Sequence, residues 1–378
     1  MWSPLAVPSP RTTAILFGLA GAASAALGGA CRGGGGGRPP LPDDAVAANV
    51  RGAAARAPSD TTSDGSQARP PETIASLLAA IAAGDTGDRL GPRLETTLER
   101  SDEAVAPALA LVRADKSAKL VIDALASAGT PAAQAGLVEL ALDRALPGAA
   151  RREVVASLAL VRQPTAPALA AVERLLAAPD AALRHAALFT AASLARAARR
   201  DDPAAAARLE RAVLGACGRS PAGAGHEERV DALAALGNLG SAAALPRLRA
   251  ALAAPDPAVR AAAARALRFV PDVEADRLLL ATLRRDREPT VRAAALFAAG
   301  FRPIEPLADG LSETALSDPI EYVRANAVAV LARHPGASPR AARALGFVAR
   351  NDPAPAVRQL AQQARPVPGA SPDADAPR

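Results

Sequence analysis

The histidines and cysteines are the residues of this 378-residue chain whose side chains could bind a metal or act as nucleophiles. There are three histidines, and only His226 has an acidic neighbour, Glu227. Zinc and related metals need three or four protein ligands, so a single His-Glu step cannot complete a coordination sphere. We therefore predict that the chain binds no metal and that His226 begins a solvated helix.

Nucleophilic and phosphate-binding chemistry has equally little support in the sequence. None of the spacings typical of a phosphate-binding loop, a serine-hydrolase elbow or a zinc-protease helix occurs. The five glycines at 33–37 lack the lysine and the helix that a phosphate-binding loop requires. Cys217 lies among regularly spaced apolar residues, which predicts a buried and inert thiol. We predict that the protein is not an enzyme, has no catalytic residue and uses no cofactor.

The composition indicates which elements would carry any site. Half of the chain is hydrophobic, but only 2% is aromatic, and 103 residues are alanine. Alanine has the highest helix propensity, and leucine and arginine follow closely, whereas strands need β-branched and aromatic residues. With 34 prolines and 28 glycines, the helices must be short and often interrupted. The composition therefore predicts an all-α protein.

The charge of the chain does not indicate a nucleic-acid partner. The net charge is +6 and the pI is about 10.4, but 44 basic and 38 acidic residues alternate along the sequence. No run of basic residues is longer than two, and the aromatic residues that would stack on bases are few. We therefore predict that the protein does not bind nucleic acid.

An internal repeat accounts for much of the alanine and arginine. An aliphatic residue is followed by an arginine and then by small apolar residues, in a pattern that recurs mostly every 31 to 34 residues. The repeated arginine, here called the register arginine, stands at Arg184, Arg260, Arg292, Arg324 and Arg358, with weaker copies at Arg152 and Arg229. Apolar residues at helical spacing lie between these segments. A fixed period of this length indicates a solenoid of helix pairs.

The turns of the repeat carry acidic residues where a helix would begin. Asp256 followed by Pro257 predicts an N-cap with proline at the first helical position. Asp180, Asp318 and Asp352 stand in the same turn region, where an acid complements the positive end of the helix dipole.

These residues resemble HEAT repeats, which combine an Asp/Pro turn, a Val-Arg step and alternating alanine and leucine on the second helix. The resemblance implies an α-α superhelix of about nine helix pairs over residues 72–364, closely matched over 145–364. It also implies that the register arginines pair with turn acids and pack between repeats, so that these arginines and aspartates have structural roles.

A second resemblance covers residues 120–248. The segments 120–140 and 230–248, together with the 45-residue interval from Arg184 to Arg229, are similar to the helical domain of vitellogenin-type lipid-transfer proteins. Those proteins wrap a helical horseshoe around β-sheets that hold the lipid. No β-rich segment follows the repeats here, so any lipid cavity would have to come from elsewhere. This resemblance implies, as an alternative function, the handling of lipid or lipoprotein in the solenoid groove.

The first residues predict export. Arg11 precedes an apolar stretch rich in small residues at 12–30, and Cys31 follows it directly. This segment, 1–31, resembles a bacterial lipoprotein signal, which implies that Cys31 is lipidated and becomes the mature N-terminus. Ordinary cleavage after Ala25 and retention as a weak membrane anchor are the alternatives. Residues 32–71 are rich in Gly, Pro and Ser and predict a disordered tether, and 365–378 predict a disordered tail.

Together these patterns predict a non-enzymatic protein-protein interaction scaffold, exported to the cell envelope or periplasm and anchored to the membrane by lipid. The partner would be a protein or peptide, with lipid as the alternative ligand. If the Val-Arg helices line the concave side of the solenoid, the predicted contact residues are Arg287, Glu321, Asn326 and Gln359. The phenylalanines and Tyr322 fall at spacings that predict core positions.

Overall fold

The computed structural model describes residues 74–83, 90–115, 118–218, 225–334 and 336–364. The predicted signal segment with Cys31, the tether and the C-terminal tail lie outside these residues. The chain separates into two compact units, 1–77 and 78–378, and of the first unit only the start of one helix is described. The following paragraphs concern the second unit.

The prediction of an all-α chain is confirmed: the described residues form helices joined by turns and contain no strand. The helices are α1 Ile74–Ala82, α2 Leu90–Arg100, α3 Val105–Arg113, α4 Ala118–Ala128, α5 Pro131–Leu142, α6 Gly148–Ser157, α7 Ala166–Leu175, α8 Ala181–Ala198, α9 Pro203–Gly218, α10 His226–Leu239, α11 Leu245–Leu252, α12 Pro257–Ala266, α13 Val273–Arg285, α14 Pro289–Ala299, α15 Ala308–Ser317, α16 Glu321–Ala332, α17 Pro339–Asn351 and α18 Pro355–Gln363.

The helices from α2 onward form two layers. The even-numbered helices, here called the second-helix layer, pack against one another in chain order from α2 to α18. The odd-numbered helices from α3 form the first-helix layer and contact one another less extensively. Each helix therefore packs mainly on its own pair and on the neighbouring pair, as a solenoid requires. The predicted α-α superhelix is confirmed.

Turn residues decide where the helices begin. The carboxylate of Asp180 accepts hydrogen bonds from the amides of Ala182 and Leu183, and so caps α8. Asp256 accepts from the amide of Ala258 and precedes Pro257, the first residue of α12. Each cap satisfies amides that have no partner inside the helix, which is worth about 1 kcal/mol.

Small residues in the second-helix layer let neighbouring backbones approach closely. A Cβ added to Gly237 in α10 would lie 2.7 Å from the Cα of Ala266 in α12. Gly240 ends α10 in the left-handed region with φ +56°, and a Cβ there would lie 2.7 Å from the carbonyl oxygen of Phe269. Only glycine fits both positions without displacing the next repeat.

The core of the solenoid is built from alanine, leucine and valine. In α12 and α14 most alanines are buried, including Ala263, Ala264, Ala295 and Ala298, each 0% exposed. These alanines belong to one continuous hydrophobic cluster with buried leucines and valines of α10 to α18. Among the described residues no helix is both long enough and apolar enough to cross a membrane.

Candidate functional site

Three register arginines form ion pairs with the following repeat; the pairs of Arg292 and Arg324 are buried and that of Arg260 is partly buried. Nε and Nη2 of Arg260 donate to the two carboxylate oxygens of Asp286, Arg292 does the same to Asp318, and Arg324 to Asp352, at 2.7–3.0 Å. Each arginine lies in a second helix, whereas its aspartate ends the first helix of the next pair. We call these three pairs the Arg–Asp ladder.

The ladder also fixes the turns through backbone hydrogen bonds. Nη1 of Arg292 donates to the carbonyl oxygens of Asp286 and Arg287, while the carboxylate of Asp318 accepts from the amide of Ile320. The Arg292 and Asp318 side chains are 8% and 4% exposed. The hydrogen bonds from Arg292 to Asp318 raise the pKa of that guanidinium. The arrangement is the bidentate geometry that arginine and carboxylate prefer.

The other register arginines have different surroundings. Arg184 and Arg358 donate to carbonyl oxygens of their own turns, to Ala178 and Pro179 and to Asp352 and Pro353 respectively. Arg152 is half-buried, and its charge contributes to a lowered pKa of Asp180. Arg229 departs from the implied role, because it is exposed and has no ion pair among the described residues.

The ladder acids stand six residues before a register arginine. Asp286, Asp318 and Asp352 occupy that position before Arg292, Arg324 and Arg358. In the earlier repeats the same position holds an uncharged residue, at Leu146, Ala178, Gly223 and Ala254, so no acid is available there. Asp318 and Asp352 directly follow first helices. Asp180 and Asp256 instead directly precede second helices and cap them. Sequence reasoning missed Asp286, although the spacing to Arg292 was a usable signal.

From the last pair of the ladder, Arg324 with Asp352, we predict that the protein loses stability in acid. The hydrogen bonds from Arg324 lower the pKa of Asp352 below its ordinary value of 3.8. A depressed carboxyl pKa stabilises the fold above the unfolded-state pKa, and this contribution is lost as the pH falls from about 3.8 through the folded-state pKa. We expect Asp352→Asn to lower stability at neutral pH and to flatten the pH dependence below pH 4, as measured by urea unfolding at a series of pH values. An unchanged acid limb in that variant would contradict this assignment.

The residues first considered for chemistry do not converge. Nδ1 of His226 lies 2.6 Å from the carboxylate of Asp256, on exposed parts of α10 and the next turn. Among the described residues no group of three or more His, Cys, Asp or Glu could hold a metal ion. Cys217 is half-buried rather than fully buried, and burial raises the pKa of its thiol to about 11. A thiol with this pKa is protonated at neutral pH and reacts slowly.

The four predicted contact residues are spread over three repeats. Arg287 lies exposed in the turn before α14, and Glu321 is the exposed first residue of α16. Asn326 is half-buried within α16, whereas Gln359 is exposed on α18. No hydrogen bond or ion pair joins any two of them, so the structure does not bring these residues together as one site.

The aromatic residues depart from the predicted core positions. Phe297 is 37% exposed, Tyr322 is 39% exposed and Phe347 is 53% exposed. Phe297 stands five residues after the register arginine Arg292. The same offset places Phe189 in α8 and Arg265 in α12, so this position forms a surface stripe along the second-helix layer.

A cluster beside this stripe, which includes Phe297 and Arg265 of the stripe itself, combines aromatic rings with guanidinium groups. The ring of Phe301 packs edge-on against Phe269 at 5.5 Å between centroids, and it packs at a tilt against Phe297 at 5.1 Å. The guanidinium carbon of Arg196 lies 4.2 Å from the Phe269 centroid, and that of Arg268 lies 5.0 Å from it. We call the surface formed by α8, α12, α14 and the turns after α12 and α14 the Arg–Phe patch, and it comprises Arg196, Arg265, Arg268, Phe269, Phe297 and Phe301.

The three arginines of the patch have no carboxylate partner among the described residues. Nε of Arg196 donates to the carbonyl oxygen of Asn238 at 2.9 Å. Arg268 donates to the Asn238 side-chain oxygen and to the carbonyl oxygen of Arg265. The Arg265 guanidinium makes no hydrogen bond to the described part of the chain, and its side chain is exposed.

The pKa values of these arginines reflect their crowding. The surrounding protein removes part of the hydration of each guanidinium, which lowers the pKa of Arg196, Arg265 and Arg268. The positive charges of Arg196 and Arg265 lower the pKa of Arg268 further, to about 10. All three remain charged at neutral pH, so the patch carries concentrated positive charge beside the half-buried rings of Phe269 and Phe301 and the exposed ring of Phe297.

The two-layered array of helix pairs defines a helical-repeat solenoid protein. The chain belongs to the vitellogenin TPR domain family, whose model matches residues 96–332. This match confirms the resemblance predicted for residues 120–248 and extends it in both directions. No curated protein sequence matches the chain.

Two solved structures share the helical fold at low identity. The complex of CpcE and CpcF of phycocyanin lyase from Nostoc sp. PCC7120 is 18% identical, with a TM-score of 0.39, and the alignment covers 76% of this chain and 98% of that one. A lipovitellin structure, described in terms of lipid-protein interactions, is also 18% identical, with a TM-score of 0.46. Its alignment covers 78% of this chain but only 32% of the lipovitellin chain. These similarities concern the fold alone.

Proposed function

We propose that the protein is a non-enzymatic scaffold that holds a segment of a partner protein on the Arg–Phe patch. The observation that carries this proposal is an aromatic cluster, with Phe297 37% exposed, beside arginines that have no acidic partner among the described residues. Aromatic residues and arginine are the types enriched where protein surfaces bind one another, because they combine large contact area with directional hydrogen bonding.

A matched pair of exposed phenylalanines provides the test. Phe297 lies in the patch and Phe347 lies on α17 in the first-helix layer, and both are at least one-third exposed. Replacing each in turn with a photo-crosslinking phenylalanine derivative preserves the aromatic character of the position. We expect irradiation of cells that naturally express the chain to crosslink one defined partner segment to position 297, and not to position 347. Equal crosslinking at the two positions, or none at 297, would count against the proposal.

We also propose that the scaffold acts in the cell envelope, exported and anchored by lipid at Cys31. The support for this is the order of Arg11, the apolar stretch 12–30 and the cysteine that follows. Intact-mass measurement of the membrane-extracted protein tests it. A mature chain that starts at Cys31 with added acyl mass is the expected result, whereas a chain that starts at residue 26 without acyl mass would indicate ordinary cleavage.

Lipid is the second candidate ligand. Membership of the vitellogenin TPR domain family favours it, and the rings of Phe297 and Phe301 offer an apolar contact. Protein purified without detergent and extracted with organic solvent would release a stoichiometric lipid if this function holds. Absence of copurifying lipid would leave the partner-protein function as the better account.

A further inference from the structure

Arg196, Arg265 and Arg268 differ from the paired arginines of the same layers. Arg260, Arg292, Arg302 and Arg324 each reach a carboxylate of this chain. Among the described residues, Arg196 and Arg268 reach only carbonyl and amide oxygens and the ring of Phe269, and the Arg265 guanidinium makes no hydrogen bond. We propose that the three guanidinium groups form a carboxylate-binding site for acidic side chains of the bound partner segment. This inference rests on the proposed function and names the chemistry of its partner.

The electrostatics of the cluster favour an anionic ligand. Arg196 and Arg268 lie against the same aromatic ring, so two like charges are held close together at a partly dehydrated surface. Such repulsion costs free energy in the unbound protein, and a bound carboxylate removes it. Arg199, beside this cluster, already has Glu210 at 3.7 Å and is therefore not part of the site.

Two of the three guanidinium groups, those of Arg196 and Arg268, are held in place by other residues of this chain. Asn238 accepts hydrogen bonds from both Arg196 and Arg268, through its carbonyl and its side-chain oxygen. Phe269 stacks beneath the same two guanidinium groups. These contacts use only some of the five N–H groups of each arginine, and the remaining ones are available in a fixed geometry for a carboxylate.

The neighbouring residues select the class of partner. The ring of Phe301 packs against Phe269, on which Arg196 and Arg268 lie, and Phe297 packs against Phe301, so apolar surface stands next to the charged groups. The corresponding exposed or half-exposed residues of the adjacent helices are neutral, at Val230 and Ala234 in α10 and at Ala325 and Ala329 in α16. A phosphate polymer would need basic groups repeated along the whole face. Positive charge concentrated beside aromatic rings instead fits a short peptide segment that mixes acidic and apolar residues.

Fluorescence anisotropy with defined peptides tests the site on the purified protein. The probe is a fluorescein-labelled peptide of repeated Glu-Glu-Leu units, and the comparison peptide has glutamine in place of glutamate. We expect the acidic peptide to bind more tightly, with affinity that falls as salt is added. Arg265→Gln should weaken acidic-peptide binding about tenfold without changing the thermal midpoint, because Arg265 makes no hydrogen bond to the described residues.

The matched control is Arg343→Gln, which removes the same charge from an exposed position on α17 in the first-helix layer. This variant should bind the acidic peptide within about twofold of the unchanged protein, since its charge lies away from the patch. Equal weakening by the two variants would overturn the proposal, because the attraction would then be a general effect of net charge.

Two further outcomes separate this inference from the function on which it rests. Equal binding of the glutamate and glutamine peptides, with crosslinking at position 297 retained, would remove the carboxylate site and leave the protein-binding surface. Arg265-dependent binding to phosphatidylglycerol vesicles but not to phosphatidylcholine vesicles, without peptide binding, would overturn the proposal in favour of a lipid headgroup.

Discussion

Replacing Arg292 with alanine is expected to lower the free energy of unfolding by about 3–5 kcal/mol. The variant leaves the Asp318 carboxylate, 4% exposed, without the guanidinium that pairs with it. It also removes the hydrogen bonds that Arg292 donates to the carbonyl oxygens of Asp286 and Arg287. An unpaired buried charge is costly because water cannot solvate it. Urea unfolding followed by circular dichroism measures the effect.

The loss should be confined to one interface of the array. Arg292 lies in α14 and Asp318 ends α15, so their pair joins the α13–α14 repeat to the α15–α16 repeat. In a solenoid each repeat is stabilised mainly by its neighbours. We therefore expect hydrogen exchange to become faster in α15 to α18 than in α8 to α12. Uniform acceleration along the whole chain would contradict this local role.

Two control variants separate the ion pair from a general effect of removing arginine. Arg285→Ala removes an exposed arginine from the last turn of α13 and should cost about 0.5 kcal/mol at most. The double variant Arg292→Met with Asp318→Leu should recover more than half of the loss, because it leaves no buried charge unpaired. If Arg292→Ala cost no more than Arg285→Ala, the buried pair would not contribute to stability.

Replacing Arg302 with alanine should be comparably destabilising, at about 3–5 kcal/mol. Its side chain is 6% exposed and contacts the carboxylate of Asp276 at 2.5 Å. It also donates to the carbonyl oxygens of Leu267, Val270 and Asp272, at 2.6–3.1 Å. One guanidinium thus holds the turn between α12 and α13 against the end of α14, and its loss leaves several buried acceptors without a donor.

The conservative variant Arg302→Lys distinguishes charge from geometry. A lysine retains the charge near Asp276 but cannot reach an acid and three carbonyl oxygens with one planar group. We expect its unfolding free energy to lie between those of the alanine variant and the unchanged protein. Because Arg302 follows Phe301 in the chain, both variants should also weaken acidic-peptide binding at the Arg–Phe patch. A lysine variant as stable as the unchanged protein would show that the carbonyl contacts contribute little.

The repeat could be predicted from sequence because its signal is periodic. Register arginines and alanines recur at fixed offsets, and a helix face is determined by spacing along one chain segment. The cap at Asp256 could be predicted for the same reason, since a cap involves residues only two or three positions apart. The pairing of Arg292 with Asp318 spans 26 residues, and the spacing alone does not indicate which turn acid the guanidinium reaches.

The patch could not be predicted because composition assigns aromatic residues to the core. Phe297 stands five residues after Arg292, roughly 140° around the helix, which puts it on another face but does not indicate whether that face is covered. Whether the stripe is covered depends on what packs across it, and in this protein no described helix covers that side of α14 completely. The predicted contact residues, such as Arg287 and Glu321, are polar, and polarity does not indicate which side chains lie close together in the folded chain.

The amino-acid sequence by itself determined the all-helical class, the period of the helix pairs and the positions of the register arginines, because each of these depends on local propensity and spacing. Only the tertiary structure decided which arginines are paired and which are not. Arg292 meets Asp318, whereas Arg196 and Arg268 meet at Phe269 with no acid from the described part of the chain. The physical reason is that electrostatic interactions depend on distance and burial. Both are set when neighbouring repeats pack, and so one residue type stabilises the ladder and, a few helices away, forms the proposed binding site.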